Sequence, residues 1–360
     1  MKFLFVVQGE GRGHMTQAMS LNEILTKGGH EIVAVLVGKS SRREIPDFFA
    51  RAFENRIFLF ASPNFLPSSR KKRANLWKTI AYNLARTGVY LKSIAFIKRK
   101  IKDLDVDLVI NFYDFLTGLT YGFSSPKAPY ICISHQYIFL HPDYHLPKAN
   151  RIQLMLMILY TKLTCLRASK RLALSIEEMR DIEKMRMKVV PPLLRKEIFD
   201  VQITKGDYLH GYMLNDNYAD EICTFNEQNP DVKLHFFWDK KGVEQETVIS
   251  NNLSFHKLDD RLFIDYMSGC CGYATTAGFE SVCEAMYMGK PVLMVPTHIE
   301  QECNAFEAQQ SGAGIVADGF ELDKLLDFIP EYSEKSDFRN WISKSETSFL
   351  KNVEDVVKVP

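Results

Sequence analysis

TTAGFESVCEAMYMGKPVLMVP, residues 275–296, and the THIEQECNA that follows it, residues 297–305, hold the pattern around which the rest of the chain is organised. Residues 275–278 are a polar loop ending in glycine. After it, Phe279, Val282 and Met286 recur at helical spacing, so a helix opens there with its packing side already chosen. The first N–H groups of such a helix have no partner within it. With the helix dipole they suit an anion such as a diphosphate, and Thr275, Thr276 and Gly278 sit at that opening. Ser281 and Glu284 are three apart and Glu280 and Glu284 four apart, so they share a helix face. A carboxylate one turn into a phosphate-binding helix accepts both hydroxyls of a ribose. PVLMVP reads as a strand. Just past its C-terminal end come Glu300, Gln301 and Asn304, acid and amide side chains that suit sugar hydroxyls, in the crevice where open α/β sheets bind ligands.

Working outward, a second such unit begins the chain. KFLFVV (2–7) is a short buried-strand run. A glycine-rich turn, Gly9-Glu10-Gly11-Arg12-Gly13-His14, leads to a helix expected over 16–27, with Ala18, Leu21, Ile24 and Leu25 on its apolar side, and HEIVAVLVG follows as a strand. This βαβ start implies a parallel sheet. DLVINFY and PYICIS continue it. Pro191-Pro192 breaks the chain after KVV, and YLHGYML, VKLHFFW and PVLMVP read as strands of a second α/β half. The segment 335–357 repeats Phe338, Trp341, Ile342, Phe349, Leu350, Val353 and Val357, which predicts a closing helix. The expected organisation is therefore an N-terminal α/β domain over 1–190, a second α/β domain over 191–335, which the resemblance described next makes the nucleotide-sugar-binding one, and a C-terminal helix over 336–360.

With these motifs in place the chain resembles the GT-B glycosyltransferases. It is similar in particular to the UDP-glycosyltransferases of plants and animals and to the N-acetylglucosaminyltransferase of peptidoglycan-precursor synthesis. The family motif is matched by Gly278, Glu284, Gly289, Pro291, Gln301, Asn304 and Ala305, with Glu300 where plant enzymes carry Asp. Gly9, Gly13 and His14 match its N-terminal glycine loop, and Pro192-Leu193-Leu194-Arg195 its Pro-x-x-Arg entry into the second domain. The resemblance implies two Rossmann-like domains facing each other across a cleft, with the acceptor held mainly by the first. It also implies a nucleotide-sugar donor, UDP-linked, bound by Gly13, Arg195, Tyr212, Thr275, Thr276, Gly278, Ser281, Glu284, Glu300, Gln301 and Asn304. One departure is His210-Gly211-Tyr212-Met213, where the peptidoglycan enzyme has a Gly-Gly-Ser phosphate turn.

The chemistry expected is transfer of the sugar to an acceptor hydroxyl with inversion. His14 would be the general base, since an imidazole titrates near neutrality, and Asp114, after DLVINFY, would be its partner. Asp-x-Asp spacing occurs only at Asp103, Asp105 and Asp107, ahead of the strand run and away from the donor segment, and neither metal nor cofactor is expected; helix dipoles and Arg195 would meet the leaving diphosphate. Two other reactions are compatible with the scaffold. A sugar-nucleotide epimerase would form product without an acceptor. An NADP-linked oxidoreductase would use the basic residues Lys39, Arg42 and Arg43, but its fingerprint G-x-G-x-x-G is not met, because the third glycine comes one residue early. Non-catalytic sugar-nucleotide binding is a further reading.

Composition sets the surroundings. The 360 residues carry a net charge of +1, but residues 1–196 hold 32 Lys+Arg against 15 Asp+Glu and residues 197–360 hold 13 against 29, a split of +17 and −16. The two halves are built to meet different partners. Between 55 and 102 lie 12 Lys+Arg and no acid, including residues 70–73 (RKKR), interleaved with Trp77, Ile80, Leu84, Leu91 and Ile94. A core-packed helix with a solvated basic face accounts for this pattern. So does an amphipathic segment over 56–102 resting on an anionic membrane and admitting a lipid or lipid-linked acceptor. No nucleic-acid module accompanies the charge. Seven cysteines without a Cys-x-x-Cys pair, an apolar N-terminal run of only five residues and no stretch near the ~20 needed to span a bilayer point to a cytoplasmic protein, peripheral at most on the inner face of the membrane.

Overall fold

The computed structural model describes residues 1–40, 44–63, 76–214, 216–240 and 242–358. The chain forms two compact units, the first from Met1–His145, Asn150–Arg195 and Trp341–Pro360, the second from Leu146–Ala149 and Lys196–Asn340.

The first unit is a seven-stranded, all-parallel sheet. Its strands are β1 (Lys2–Gln8), β2 (Glu31–Lys39), β3 (Ile57–Ala61), β4 (Leu108–Phe112), β5 (Tyr130–Ser134), β6 (Lys170–Leu174) and β7 (Met187–Val190), in the order β3-β2-β1-β4-β5-β6-β7. Connecting them are α1 (Arg12–Lys27), α2 (Asp47–Phe53), α3 (Leu76–Ala85), α4 (Thr87–Asp103), α5 (Phe115–Phe123) and α6 (Arg151–Thr164). Phe3, Leu4, Phe5, Val6 and Val7 on β1 and Leu108, Val109 and Ile110 on β4 are wholly buried. These continuous apolar runs are what a parallel sheet covered on both faces demands. The strand order reverses direction between β1 and β4, so the C-terminal ends of those two strands flank a topological switch point.

The second unit begins with the short α7 (Glu197–Asp200). Its sheet is β10-β11-β9-β8-β12-β13-β14, built from β8 (Tyr208–Met213), β9 (Lys233–Trp238), β10 (Glu246–Ser250), β11 (Leu253–Lys257), β12 (Gly272–Thr275), β13 (Val292–Met294) and β14 (Gly314–Val316). Only the β10–β11 pair is antiparallel among the pairings described. Its helices are α8 (Ala219–Gln228), α9 (Asp260–Gly269), α10 (Phe279–Tyr287), α11 (Ile299–Gln310) and α12 (Leu322–Phe328). Here the switch point lies between β8 and β12, where Tyr212 pairs with Thr275. One sheet face packs Leu209, Phe236, Trp238, Leu253 and Phe255 against α8 and α12 residues such as Ile222 and Leu325. The other carries His210, His235 and His256 among Phe237, Phe263 and Tyr266.

Both halves are thus Rossmann-like, as the sequence led us to expect, with two local differences. α1 starts at Arg12 rather than 16, so Gly13 and His14 lie in its first turn. His210, Gly211, Tyr212 and Met213 lie within β8, as the run YLHGYML implied, and a Cβ on Gly211 would sit 2.1 Å from the Phe236 ring of the neighbouring strand. The C-terminal segment is two helices, α13 (Ser336–Ser343) and α14 (Ser345–Lys358). α14 packs on α1 with Phe349 and Val353 fully buried, and Lys27 pairs with Glu346 at 2.8 Å and His30 with Glu354 at 3.2 Å. All seven cysteines are free thiols. Among the described residues no helix is long and apolar enough to cross a membrane.

Candidate functional site

In the second unit, Thr275 ends β12 and Thr276, Ala277 and Gly278 lead into α10, with Thr275, Thr276 and Ala277 buried. Gly278 is the N-cap and offers no side chain, so the first N–H groups of α10 have no cap from it. The loop turns sharply: Ala277 has φ +58°, a left-handed conformation that a residue with a Cβ adopts at a cost. Asn304 on α11 holds it there, Nδ2 donating to Ala277 O at 3.1 Å. Glu284 is 2% exposed, on the side of α10 that faces inward with Val282 and Ala285. Ser281 Oγ donates back to Gly278 O at 3.2 Å, an ordinary local bond of a first-turn serine. The helix then stops in a Schellman motif: Gly289, at φ +68°, donates to Met286 O, and Lys290 N to Ala285 O. The glycine of the Gly-Lys-Pro sequence is required by that left-handed step, and Lys290 is buried with Nζ on Cys270 O at 2.8 Å.

Past β13, Gln301 is nearly buried, and its Oε1 accepts from Thr297 N at 2.8 Å and Thr297 Oγ1 at 2.7 Å. Its carbonyl therefore serves the turn, and its amide N–H groups are what it has for a ligand. Asn304 stands differently from its expected place beside the sugar. Both its polar atoms are enclosed, Nδ2 committed to Ala277 and Oδ1 buried without a partner among the described residues. Glu300 opens α11 next to Gln301, and Tyr212 sits half-buried at the end of β8 near Phe263. Thr275, Thr276, Gly278, Glu284, Glu300, Gln301 and Tyr212 thus gather around the C-terminal ends of β8, β12 and β13. Arg195 is half-buried at the end of the first unit's chain.

In the first unit, Gly9 N donates to Gly38 O at 2.8 Å, and a Cβ on Gly9 would lie 2.7 Å from Val37. Close packing on β2 thus explains this glycine, and its N–H is not offered to a phosphate. Glu10 reaches across to Ser40, accepting from its N and Oγ. That puts a carboxylate where a dinucleotide phosphate would be read, beside Lys39; Arg42 and Arg43 lie outside the described residues. His14 is half-buried in the first turn of α1. Its Nδ1 lies 3.3 Å from Gln17 Oε1 and its ring stacks on Tyr113 with centroids 5.4 Å apart and planes at 29°.

Asp114 follows Tyr113 at the same switch point, but its carboxylate is not hydrogen-bonded to His14. Oδ1 accepts from Thr117 N and Oγ1, each at 2.8 Å, and Oδ2 from Ser62 Oγ at 3.0 Å. This is N-cap work for α5. Burial pushes its carboxyl above the usual range, against the pull of the Thr117 and Ser62 bonds. Sequence reasoning missed Gln17 and Tyr113. Gln17 carried a usable signal, three residues after His14 on one helix; the left-handed φ of +62° at Tyr113 carried none. Among the described residues no group of three or more His, Cys, Asp or Glu is placed to hold a metal. His141 is held by Arg180 O at 2.9 Å and Asp143 N at 3.1 Å.

A family model described as glycosyl transferase family 1 matches residues 1–332. No curated protein matches the chain by sequence. Solved structures similar to it include a UDP-glucosyltransferase from Polygonum tinctorium capable of glucosylating indoxyl, at 12% identity and TM-score 0.63, covering 100% of this chain and 99% of that one. Arabidopsis thaliana UGT89C1 complexed with UDP-L-rhamnose has 15% identity and TM-score 0.62 over 99% and 98% of the two chains. Medicago truncatula UGT71G1 complexed with UDP-glucose has 12% identity and TM-score 0.59 over 99% and 98%.

Proposed function

The chain belongs to glycosyl transferase family 1 and is a glycosyltransferase of the GT-B class, and we propose that it transfers a sugar from a UDP-sugar to an acceptor hydroxyl with inversion and without a metal ion. The observation that carries the donor reading is the loop 275–278 feeding the uncapped N-terminus of α10, with Glu284 on the same helix and Gln301 beyond β13. In this reading the α10 amides hold the diphosphate, Glu284 the ribose, and Gln301 with Glu300 the sugar. Thr275, Thr276, Gly278, Ser281 and Tyr212 shape the same site, and Asn304 supports it through Ala277; Gly13 and Arg195 belong to the first unit.

His14 takes the proton of the acceptor hydroxyl as its oxygen attacks the anomeric carbon and the nucleoside diphosphate leaves. Asp114 contributes by fixing the start of α5 beside that base. The donor mutant Glu284→Ala should weaken both UDP and UDP-glucose in calorimetry. His14→Ala should lower turnover ~10²–10⁴-fold with donor affinity nearly intact. Unchanged UDP affinity in the first, or full turnover in the second, removes the corresponding role. Nothing favours the epimerase or oxidoreductase readings, and Glu10 at Ser40 weighs against the latter.

We infer further that the acceptor is a lipid or lipid-linked hydroxyl, reached by a cytoplasmic protein resting on an anionic membrane. Support comes from α4, which turns Tyr90, Ser93, Ile97 and Ile101 inward and presents Leu91 with Lys92, Lys98, Arg99 and Lys102 to solvent. Leu84 on α3 is 68% exposed beside it. Residues 70–73 lie outside the described residues. Each engaged cation contributes ~1 kcal/mol near such a surface. Co-sedimentation with anionic vesicles, lost at high salt, is the expected result; equal partitioning onto neutral vesicles, or none onto either, leaves only a solvated helix.

A further inference from the structure

His14 is held by two contacts, to Gln17 and Tyr113, and neither comes from Asp114. One turn along α1, Gln17 is 1% exposed and presents Oε1 to His14 Nδ1 at 3.3 Å. An amide oxygen only accepts, so it selects the imidazole tautomer with the proton on Nδ1 and leaves the lone pair on Nε2. On the ring's face lies Tyr113, itself pinned on every side. Its hydroxyl is 2.6 Å from Thr161 Oγ1 and its ring packs against Tyr137 and Tyr160, 5.8 and 5.6 Å away. Its backbone is locked left-handed in a knuckle where Asn111 Oδ1 accepts from Asp114 N at 2.9 Å and Asn111 Nδ2 donates to Asp114 O at 3.1 Å.

We propose that Gln17 is the positioning residue of this enzyme's base: it holds His14 in the Nδ1–H tautomer while Tyr113 fixes the plane of the ring, so that Nε2 is the atom that receives the acceptor proton. The proposal rests on the reading of His14 as the base. Its particular content is that a neutral amide does what a carboxylate would otherwise do. The tautomer is set without a carboxylate bonded to the imidazolium that forms, and Asp114 is left to cap α5.

The test uses the full chain and long-range ¹H–¹⁵N spectra of its histidine rings, with UDP release from UDP-glucose as the parallel readout. Wild type should show His14 protonated on Nδ1. Gln17→Met keeps the length and removes the acceptor. It should shift His14 toward the Nε2–H form and lower kcat about 10- to 100-fold with KM for UDP-glucose unchanged. Gln17→Glu should restore the Nδ1–H tautomer and most of the turnover, with the acid limb of the pH–rate profile moved to higher pH because a carboxylate favours the imidazolium. The same tautomer in wild type and Gln17→Met overturns the proposal. So does a loss in Gln17→Met that Gln17→Glu fails to restore. Failure of the underlying reading is seen separately, as His14→Ala with full UDP release, which leaves the spectra to decide the tautomer by themselves.

Discussion

Replacing Asn304 by Ala asks what holds the loop in front of α10. The side chain is 2% exposed and donates to the carbonyl of Ala277, a residue kept at φ +58°. Leaving that carbonyl without its donor costs about 1–3 kcal/mol, and the left-handed backbone it restrains stores a further ~1–2 kcal/mol that favours relaxation once the restraint is gone. A loop that must be re-formed by the ligand loses that first amount from the binding energy, so the Kd for UDP should rise roughly 5- to 150-fold. UDP-glucose should weaken by the same factor if the loop meets the diphosphate common to both, as proposed above. Adding Ala277→Gly in the Asn304→Ala background removes the strain and should recover about fivefold. Calorimetry with both ligands, alongside thermal melts to separate folding from binding, reads all four corners of the cycle. If Asn304→Ala leaves UDP untouched and weakens only UDP-glucose, Asn304 contacts the sugar and the reasoning from Ala277 is wrong.

The histidine face of the second unit predicts acid lability. His210 is fully buried, and burial first, then the neighbouring His235 and His256, push its imidazole well below the ordinary value. The unfolded chain therefore takes up a proton near pH 6.5 that the folded chain refuses, so stability is complete above that pH and falls below it. His235, held down to about 4 by burial and then His256, adds to the trend, with Glu246 pulling upward and Lys233 downward. Melts at pH 7.5 and 5 should differ less in His210→Phe; an unchanged difference assigns the lability elsewhere. At Gly211 the Phe236 ring leaves no room for a Cβ, so Gly211→Val should cost about 3 kcal/mol and lower Tm sharply; a wild-type melt would mean that the ring has somewhere to go.

Much of the fold was legible because long, periodic or continuous apolar runs announce themselves. KFLFVV, HEIVAVLVG, DLVINFY and PYICIS became β1, β2, β4 and β5, and the glycine break after Lys27 ended α1 where expected. What escaped were short strands. β6 (KRLAL) and β12 (GYAT) are buried by their neighbours and carry no period of their own, and β3 lies inside the basic stretch that drew attention to charge. The closing helix was read as one because its apolar repeat continues across Lys344, and repeats do not register a one-residue break. At the site, types and spacings were readable where an element repeats regularly, as along α10. Which atom each side chain gives to its neighbours was not: Gln301 caps a turn, Ser281 bonds its own helix, and Asp114 caps α5, because satisfying a buried backbone group takes precedence over waiting for a ligand.

α14 covers α1, yet it is made after the whole second unit. Trp341 donates to Ser175 O, Lys170 reaches Asn352, and Phe349 and Val353 fill the face of the first unit only after the whole second unit has left the ribosome. At ordinary synthesis rates that delay is roughly 10–30 s. For that interval the first unit lacks the helix that buries Phe349 and Val353 against it. Ribosome-bound intermediates stalled before 341 should then be far more protease-sensitive than the released chain, so that α14 governs when the first unit becomes a domain at all.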